Sequence, residues 1–244
     1  MNATQKVALV TGATRGIGTE TVRQLAEKGV LTLLAGRDAG RAEAAAKKLK
    51  DEGLPVESIV LDVTRSESIQ KAVADVTSRF GRLDILVNNA GILVDAMDKK
   101  PSEQSIETWR KTFDTNVFAV VEVTQAFLPL IKAAPAGRIV NVSSLLGSVT
   151  SHSDPASPVY DFKIPAYNVS KSAVNAWTVQ LAYELRDTPV KVNAVHPGYV
   201  KTDMNGGEGE IDVPTGAKSS VGMALLDENG PTGSYTYLGD TIAW

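Results

Sequence analysis

The chain has no cysteine and only two histidines, His152 and His196. Disulfides, thiolate nucleophiles and thiolate metal sites are therefore excluded, and so is a histidine-rich metal centre. No apolar run approaches the roughly 20 residues that a membrane-spanning helix needs, so no membrane partner is expected. Neither sign of charge dominates: 25 Lys and Arg stand against 28 Asp and Glu, a net charge of −3. Nucleic-acid binding usually leaves a basic patch or stripe, and no nucleic-acid partner is expected. The first residues, Met1-Asn2-Ala3-Thr4-Gln5-Lys6, run straight into a strand-like segment without a signal-peptide pattern. A cytoplasmic location is the expectation.

What the chain does have is length and alternation. Its 244 residues, 43% hydrophobic and 22% charged, suffice for a substantial core in one large domain. Apolar runs rich in β-branched residues alternate with helical patterns. Strands are predicted at Lys6–Thr11, Val30–Ala35, Val56–Leu61, Leu83–Val87, Arg138–Val142, Val190–Val195 and Tyr235–Leu238. Helices are predicted at Gly16–Lys28, Ala39–Glu52, Ser66–Phe80, Ile106–Lys132, Tyr167–Arg186 and Ala217–Leu226, with Pro129 kinking or splitting the fourth. Continuous apolar strands separated by helices imply a parallel sheet covered on both faces, and right-handed crossovers wind it doubly. The expectation is a single α/β domain over 1–244, a doubly wound Rossmann-type fold with a mostly parallel seven-stranded sheet. Two stretches break the rhythm. Residues 148–165, with three prolines, read as an inserted loop, and the glycine-rich, acidic region 203–216 reads as a mobile surface loop or a substrate lid.

Thr11-Gly12-Ala13-Thr14-Arg15-Gly16-Ile17-Gly18 sits between the first strand and the first helix. Gly12 permits a tight turn, Gly16 lets backbone approach a pyrophosphate, and Gly18 allows close helix–strand packing. The helix N-terminus offers free N–H groups to phosphate. In this strand–turn–helix context the glycines point to a dinucleotide. NAD sites often place a carboxylate at the end of the second strand, on the ribose 2′-hydroxyl. Here Gly36 and Arg37 stand instead, and Arg15 lies in the first loop. Two guanidiniums can clamp a 2′-phosphate, so NADP(H) is expected over NAD(H), although Asp38 offers the ribose hydroxyl a competing acceptor. Asp62 and Asn88-Asn89-Ala90-Gly91 follow the third and fourth strands, at carboxyl ends where open α/β sheets bind ligands. As bare residues they serve equally well as turn caps. Tyr167 and Lys171 are four residues apart and share a helix face. Free tyrosine ionises near pH 10, and a fixed ammonium beside it is expected to lower that value, making the phenol a proton donor or acceptor near neutrality.

In order, the chain carries TGxxxGIG (Thr11–Gly18), NNAG (Asn88–Gly91), Asn116, Ser143-Ser144, YxxxK (Tyr167–Lys171) and His196-Pro197-Gly198. This ordered set, spread over essentially the whole chain, resembles the short-chain dehydrogenases/reductases. Gly137–Ser144, Leu128–Lys132 and the long loop from Ser to Tyr are similar to the carbonyl reductase branch. The resemblance implies roles. Tyr167 would be the general acid in carbonyl reduction and the base in alcohol oxidation. Lys171 would lower its pKa and hold the nicotinamide ribose. Ser144, rather than Ser143, would hydrogen-bond the substrate oxygen, and Asn116 would help a water relay protons towards Lys171. Gly12, Thr14, Arg15, Gly16, Ile17, Gly18 and Arg37 would bind the cofactor, Asp62 and Val63 would bracket adenine, and Asn88, Ala90 and Gly91 would line the cleft. Pro197, Gly198, Val200 and Thr202 would border the nicotinamide end. The implied activity is NADPH-dependent reduction of an aldehyde or ketone by hydride transfer. The alternatives are an NADP-dependent alcohol dehydrogenase and a non-catalytic dinucleotide-binding sensor.

Tyr167 lies 23 residues after Ser144, a longer gap than compact members of that family show. In the similar carbonyl reductases a still longer insertion covers a helix face otherwise used for dimerisation, so a monomer is favoured and a homo-oligomer stays open. His152, in this proline-rich loop, reads as solvated, and His196 as structural. Leu93, Val94, Leu145, Leu146 and Trp244 are candidates for a substrate pocket and equally good packing residues. An apolar aldehyde or ketone suits them, and the chemistry requires no metal.

Overall fold

Alternating side chains decide how the sheet is covered. The computed structural model describes residues 5–244. In β1 (Val7–Val10), Val7 and Leu9 enter one buried cluster while Ala8 and Val10 enter another. β2 (Leu31–Gly36) repeats the pattern, with Leu31, Leu33 and Ala35 on the first face and Leu34 on the second. A period of two with both faces apolar is what a sheet sandwiched between helices requires. The first face is covered by α3 (Ser66–Phe80), α5 (Ala119–Lys132) and α7 (Pro165–Glu184), through side chains such as Ile69, Phe127 and Leu181. The second is covered by α1 (Gly16–Glu27), α2 (Ala39–Asp51) and α8 (Val213–Ala224), through Leu25, Leu49 and Ala224. Each fully buried leucine, Leu9 and Leu33 among them, contributes about 2 kcal/mol of hydrophobic stabilisation.

The remaining strands are β3 (Val56–Val60), β4 (Ile85–Asn88), β5 (Arg138–Val142), β6 (Lys191–Val195), β7 (Tyr235–Tyr237) and β8 (Asp240–Thr241). Their order is β3-β2-β1-β4-β5-β6-β7-β8, parallel throughout except for the antiparallel pair β7–β8. The predicted doubly wound α/β sheet is therefore present, with one strand more than the seven expected. β8 is two residues long, too short to leave a period in the sequence. The order switches between β1 and β4, and in such sheets the loops at the carboxyl ends part there to form a crevice.

Pro129 does not split the long helix. It lies inside α5, which runs on to Lys132. The interruption falls earlier, where Asp114–Phe118 forms a π turn joining α4 (Ile106–Phe113) to α5. The region 148–165 is not all loop: α6 (Val149–Ser153) begins there, capped by Ser148 Oγ, which accepts the Ser151 N–H at 3.1 Å. α8 starts four residues before the predicted Ala217, because Asp212 accepts the Thr215 N–H at 2.8 Å and Pro214 suits a first turn. Residues 203–212 fold back: a 3₁₀ turn at Asp203–Asn205 and a bridge from Ile211 to Val200 hold them against the chain after β6. Among the described residues no helix is long and apolar enough to cross a membrane.

Candidate active site

The carboxyl ends of β1 and β4 meet at Thr11. Its hydroxyl oxygen accepts the N–H groups of Asn89 and Ala90, both at 3.0 Å. Asn89 Nδ2 reaches back to the carbonyl oxygens of Thr11 and Gly12 at 2.9 and 3.2 Å. The two loops are pressed so close that a Cβ on Gly12 would lie 2.8 Å from Ala90 Cα, and Gly12 has φ +61°. Gly16 differs, since a Cβ there would meet only Thr202 Cγ2 at 3.8 Å. It therefore borders open space. Beside it α1 starts from Arg15 with no side-chain cap. Uncapped first-turn N–H groups at a positive helix end suit a phosphate. Ile17 is half-buried in that turn, and Gly18 is buried against the loop. The Thr14 methyl fills the space that any side chain at Gly36 would need.

Arg15 and Arg37 are both exposed, and Arg15 Nη1 pairs with Asp203 Oδ2 at 3.1 Å. Asp38 uses one oxygen to cap α2, accepting the Arg41 N–H at 2.8 Å. Asp62 Oδ1 accepts the Thr64 N–H and hydroxyl at 3.0 and 2.7 Å. Burial works to raise the Asp62 pKa, but these bonds, with Arg37 and Arg65 nearby, hold it below the usual value. Val63 is half-buried against the first-face core.

Ser143 and Ser144 follow β5, and Tyr167 and Lys171 lie in the first two turns of α7; all four are buried. The Ser144 side chain acts on the Tyr167 phenol, working to lower its pKa, and its Oγ accepts the Leu146 N–H at 3.2 Å. Lys171 Nζ donates to the Val142 carbonyl at 2.8 Å and lies 5.6 Å from the centre of the Tyr167 ring. Asn116 stands in the π turn, a rare element that recurs at functional sites. It accepts the Ile92 N–H at 2.8 Å and donates to the Ile92 carbonyl and Ser170 Oγ at 2.9 and 3.0 Å. Gly91 completes the group: a Cβ there would lie 3.4 Å from Asn116 Oδ1 and 3.6 Å from Lys171 Nζ. Its bare backbone leaves a cradle beside the ammonium.

The protonation states differ from the sequence expectation. Burial pushes the Tyr167 phenol up to about 12, with the Ser144 side chain opposing only in part, and pushes Lys171 down to about 8. Each group resists charge because it has lost water, and that loss outweighs the proximity of the pair. Tyr167 therefore keeps its proton at neutral pH.

Other predicted residues divide by position. Asn88 is drawn inward, its Nδ2 donating to Thr124 Oγ1 and Asn141 Oδ1 at 2.9 and 2.8 Å. Asn141 Nδ2 continues to Thr178 Oγ1 at 2.9 Å, so the chain of amides ties β4 and β5 to α5 and α7. Ala90 and Gly91 stay half-buried at the loop surface. Pro197, Gly198, Val200 and Thr202 follow β6, and the Thr202 methyl brings that stretch to Gly16. Leu93, Leu145 and Leu146 are half-buried and Val94 is exposed. Trp244 stacks on Tyr235, with centroids 5.4 Å apart and rings 22° inclined. The Trp244 carbonyl accepts from Ser148 Oγ and the Thr150 N–H at 3.1 and 3.0 Å.

Sequence reasoning missed Tyr235 and Asp95. Tyr235 is fully buried and its hydroxyl donates to the Ser144 carbonyl. His196 Nδ1 accepts the Leu145 N–H at 3.1 Å, and burial lowers its pKa to about 4. His152 is not simply solvated: its Nε2 lies 3.0 Å from the Leu146 carbonyl and its Nδ1 3.3 Å from Lys163 Nζ. Burial and the Lys163 charge lower its pKa. The turn after Ser144 is thus held from three sides.

Comparison with known proteins agrees with this architecture. The family profile described as short chain dehydrogenase matches residues 6–211. The short-chain dehydrogenase anuI of Penicillium roqueforti is 39% identical over 228 residues, covering 91% of this chain and 89% of that protein. The (+)-neomenthol dehydrogenase of Capsicum annuum is 30% identical over an alignment of 301 residues, covering 95% of each. The NADPH-bound carbonyl reductase from chicken fatty liver superposes with a TM-score of 0.86 at 28% identity, covering 98% of this chain and 94% of that one. With the sheet order, the glycine turn at its switch point and matches over most of its length, the chain belongs to the short-chain dehydrogenase family.

Proposed function

We propose that the protein is an NADPH-dependent reductase that converts the carbonyl of an apolar aldehyde or ketone to an alcohol, with Tyr167 as general acid. One observation carries this: a buried Tyr167 phenol, raised to about 12, under the influence of the buried Ser144 side chain and one helical turn from a buried Lys171. It holds the proton that reduction consumes and that alcohol oxidation would first have to remove. The neomenthol dehydrogenase relative keeps the oxidative direction as the second reading.

The residues present fit a nicotinamide dinucleotide. The uncapped start of α1 and the open side of Gly16 suit the pyrophosphate. Gly12, Thr14, Ile17 and Gly18 shape that loop. Arg15 and Arg37 suit a 2′-phosphate, and Asp62 and Val63 suit the adenine. The cradle among Gly91, Asn116 and Lys171 suits the ribose. Ala90 and Asn88 back the cleft, and Pro197, Gly198, Val200 and Thr202 border its nicotinamide end. The NADPH-bound carbonyl reductase supports the same cofactor, which when bound supplies the hydride.

Ser144 Oγ and Tyr167 Oη hold the substrate oxygen and stabilise the negative charge growing there. Tyr167 gives its proton to that oxygen. The Lys171 charge favours the phenolate left behind, and Asn116 supports the water path that returns a proton towards Lys171. Leu93, Val94, Leu145, Leu146 and Trp244 form the apolar wall, with residues 203–216 as lid, in a protein that acts as a cytoplasmic monomer.

The test is turnover of an aldehyde and ketone panel with NADPH and with NADH. NADPH should give the higher kcat/KM, and Tyr167→Phe should lose about 10²–10⁴-fold in kcat while binding NADPH normally. Full activity in Tyr167→Phe overturns the mechanism. Equal or better use of NADH overturns the cofactor assignment. NADPH binding without turnover of any carbonyl favours a sensor.

A further inference from the structure

The catalytic helix α7 has no cap of its own. The residue before it, Ile164, offers no side-chain hydrogen bond, and Pro165 at its first position has no N–H. The next two N–H groups, those of Ala166 and Tyr167, would be orphaned in the interior. They are taken instead by Asp95, which lies 71 residues away from Ala166 in the chain. Its Oδ1 accepts the Ala166 N–H at 2.8 Å and its Oδ2 the Tyr167 N–H at 3.1 Å. The following N–H, of Asn168, is met by the Ile164 carbonyl at 2.8 Å. Asp95 is 7% exposed, and a carboxylate so buried needs its oxygens satisfied. Two backbone donors at a positive helix end satisfy them.

Asp95 is itself rigidly presented. Upstream, the Asn116 side chain clamps both the N–H and the carbonyl of Ile92, at 2.8 and 2.9 Å. Downstream, the Gln104 side chain clamps both the N–H and the carbonyl of Ala96, at 3.1 and 2.6 Å. Farther upstream, Asn89 is bonded to Thr11 and Gly12 of the glycine turn. Residues 89–96 therefore form a strap fixed at one end to the phosphate-suited loop and at the other to the first turn of the helix carrying Tyr167.

We infer that Asp95 is a positioning residue for Tyr167: by capping α7 from the strap it sets where the phenol stands relative to Ser144 and the cofactor cleft. The inference rests on the proposed role of Tyr167 as the acid. Both Asp95 oxygens are taken up by α7 amides, so its loss should lower kcat and leave cofactor affinity alone. The capping argument requires an acceptor oxygen for each of two amides; Asn carries one such oxygen and so replaces half of the cap.

Three full-length proteins test it: wild type, Asp95→Asn and Asp95→Ala. The readouts are residue-resolved amide exchange without ligand, NADPH affinity by fluorescence titration, and kcat and KM on the best ketone of the panel. In Asp95→Ala the Ala166 and Tyr167 amides should lose protection while residues 174–182 of the same helix keep theirs. Its kcat should fall at least about tenfold, since displacing a catalytic group by about 1 Å can cost 10²-fold, with NADPH affinity within twofold of wild type. Asp95→Asn, with one acceptor oxygen, should retain protection at one of the two amides and lose less kcat than Asp95→Ala. The proposal is overturned if Asp95→Ala keeps its kcat, if Asp95→Asn falls as far as Asp95→Ala, or if protection is lost along the whole helix. Retained activity in Tyr167→Phe would sink the acid assignment instead, and the amide-exchange result would still report whether Asp95 caps the helix.

Discussion

His196 should make the protein acid-sensitive through one buried imidazole. Its Nδ1 accepts the Leu145 N–H at 3.1 Å, so the ring is neutral with its proton on Nε2. Burial lowers its pKa from 6.5 to about 4. The unfolded chain therefore binds the proton more tightly than the folded one. Stability is complete above about pH 6.5, is lost as pH falls towards 4, and levels off below. At about 1.36 kcal/mol per pH unit, the whole interval is worth about 3 kcal/mol, and about 2 kcal/mol is gone by pH 5. That is a large share of the roughly 5–15 kcal/mol that holds a typical domain together. His196→Asn keeps a short acceptor for Leu145 and cannot titrate. Urea unfolding of both proteins from pH 7.5 to 4.5 gives the comparison. The two stabilities should run parallel down to about pH 6.5, after which the wild type should lose about 2 kcal/mol more than the variant by pH 5. His152 and the carboxylates titrate in both proteins and cancel in the difference. Parallel curves down to pH 5 would refute a buried neutral imidazole at this position. The consequence reaches the site, because a protonated Nδ1 turns a donor towards the Leu145 N–H and loosens the turn that carries Ser144.

Two glycines should separate folding from binding. Gly12→Ala forces a Cβ within 2.8 Å of Ala90 Cα at φ +61°, and should cost at least about 2 kcal/mol in urea unfolding. Gly91→Ala makes only ordinary contacts at 3.4 and 3.6 Å, so stability should stay within about 0.5 kcal/mol while NADPH affinity drops, read by fluorescence titration. Tyr235→Phe removes a donor from the Ser144 carbonyl, which still accepts the Gly147 N–H at 2.7 Å, so the loss in unfolding free energy should be only about 1 kcal/mol.

What the sequence disclosed depended on how local each cause was. The strands were legible because segments such as Val7–Val10 are buried on both faces and read as unbroken apolar runs. β8 was not, because two exposed residues carry no period. The π turn was hidden because one extra residue barely disturbs a helical pattern, so Pro129 drew the blame for any discontinuity. Ser144, Tyr167 and Lys171 could be grouped only through the ordered motif set, since their spacing alone describes ordinary helix neighbours. Asp95 was illegible for a different reason: its partners are 71 and 72 residues away. The only local trace was negative, a helix beginning Ile-Pro-Ala-Tyr with no capping residue, which implies a cap supplied from elsewhere. Asn88 was placed correctly at a strand end, but no pattern showed that its amide would turn inward to Asn141.

The phenol and the ammonium show why environment has to be weighed against proximity. Spacing predicted that Lys171 would draw the Tyr167 pKa down towards neutrality. Burial instead moves the two groups in opposite directions, to about 12 and about 8. Lys171 Nζ lies 5.6 Å from the ring centre, near enough for its charge to favour a phenolate. That offsets the burial of Tyr167 without overturning it, so the phenol still carries its proton at pH 7. The same attraction acts fully only once the proton has left, when the buried phenolate has Lys171 as its neighbour. The pair is therefore biased to release a proton on demand rather than to stand ionised in advance, which is the bias a carbonyl reductase needs and an alcohol dehydrogenase must overcome.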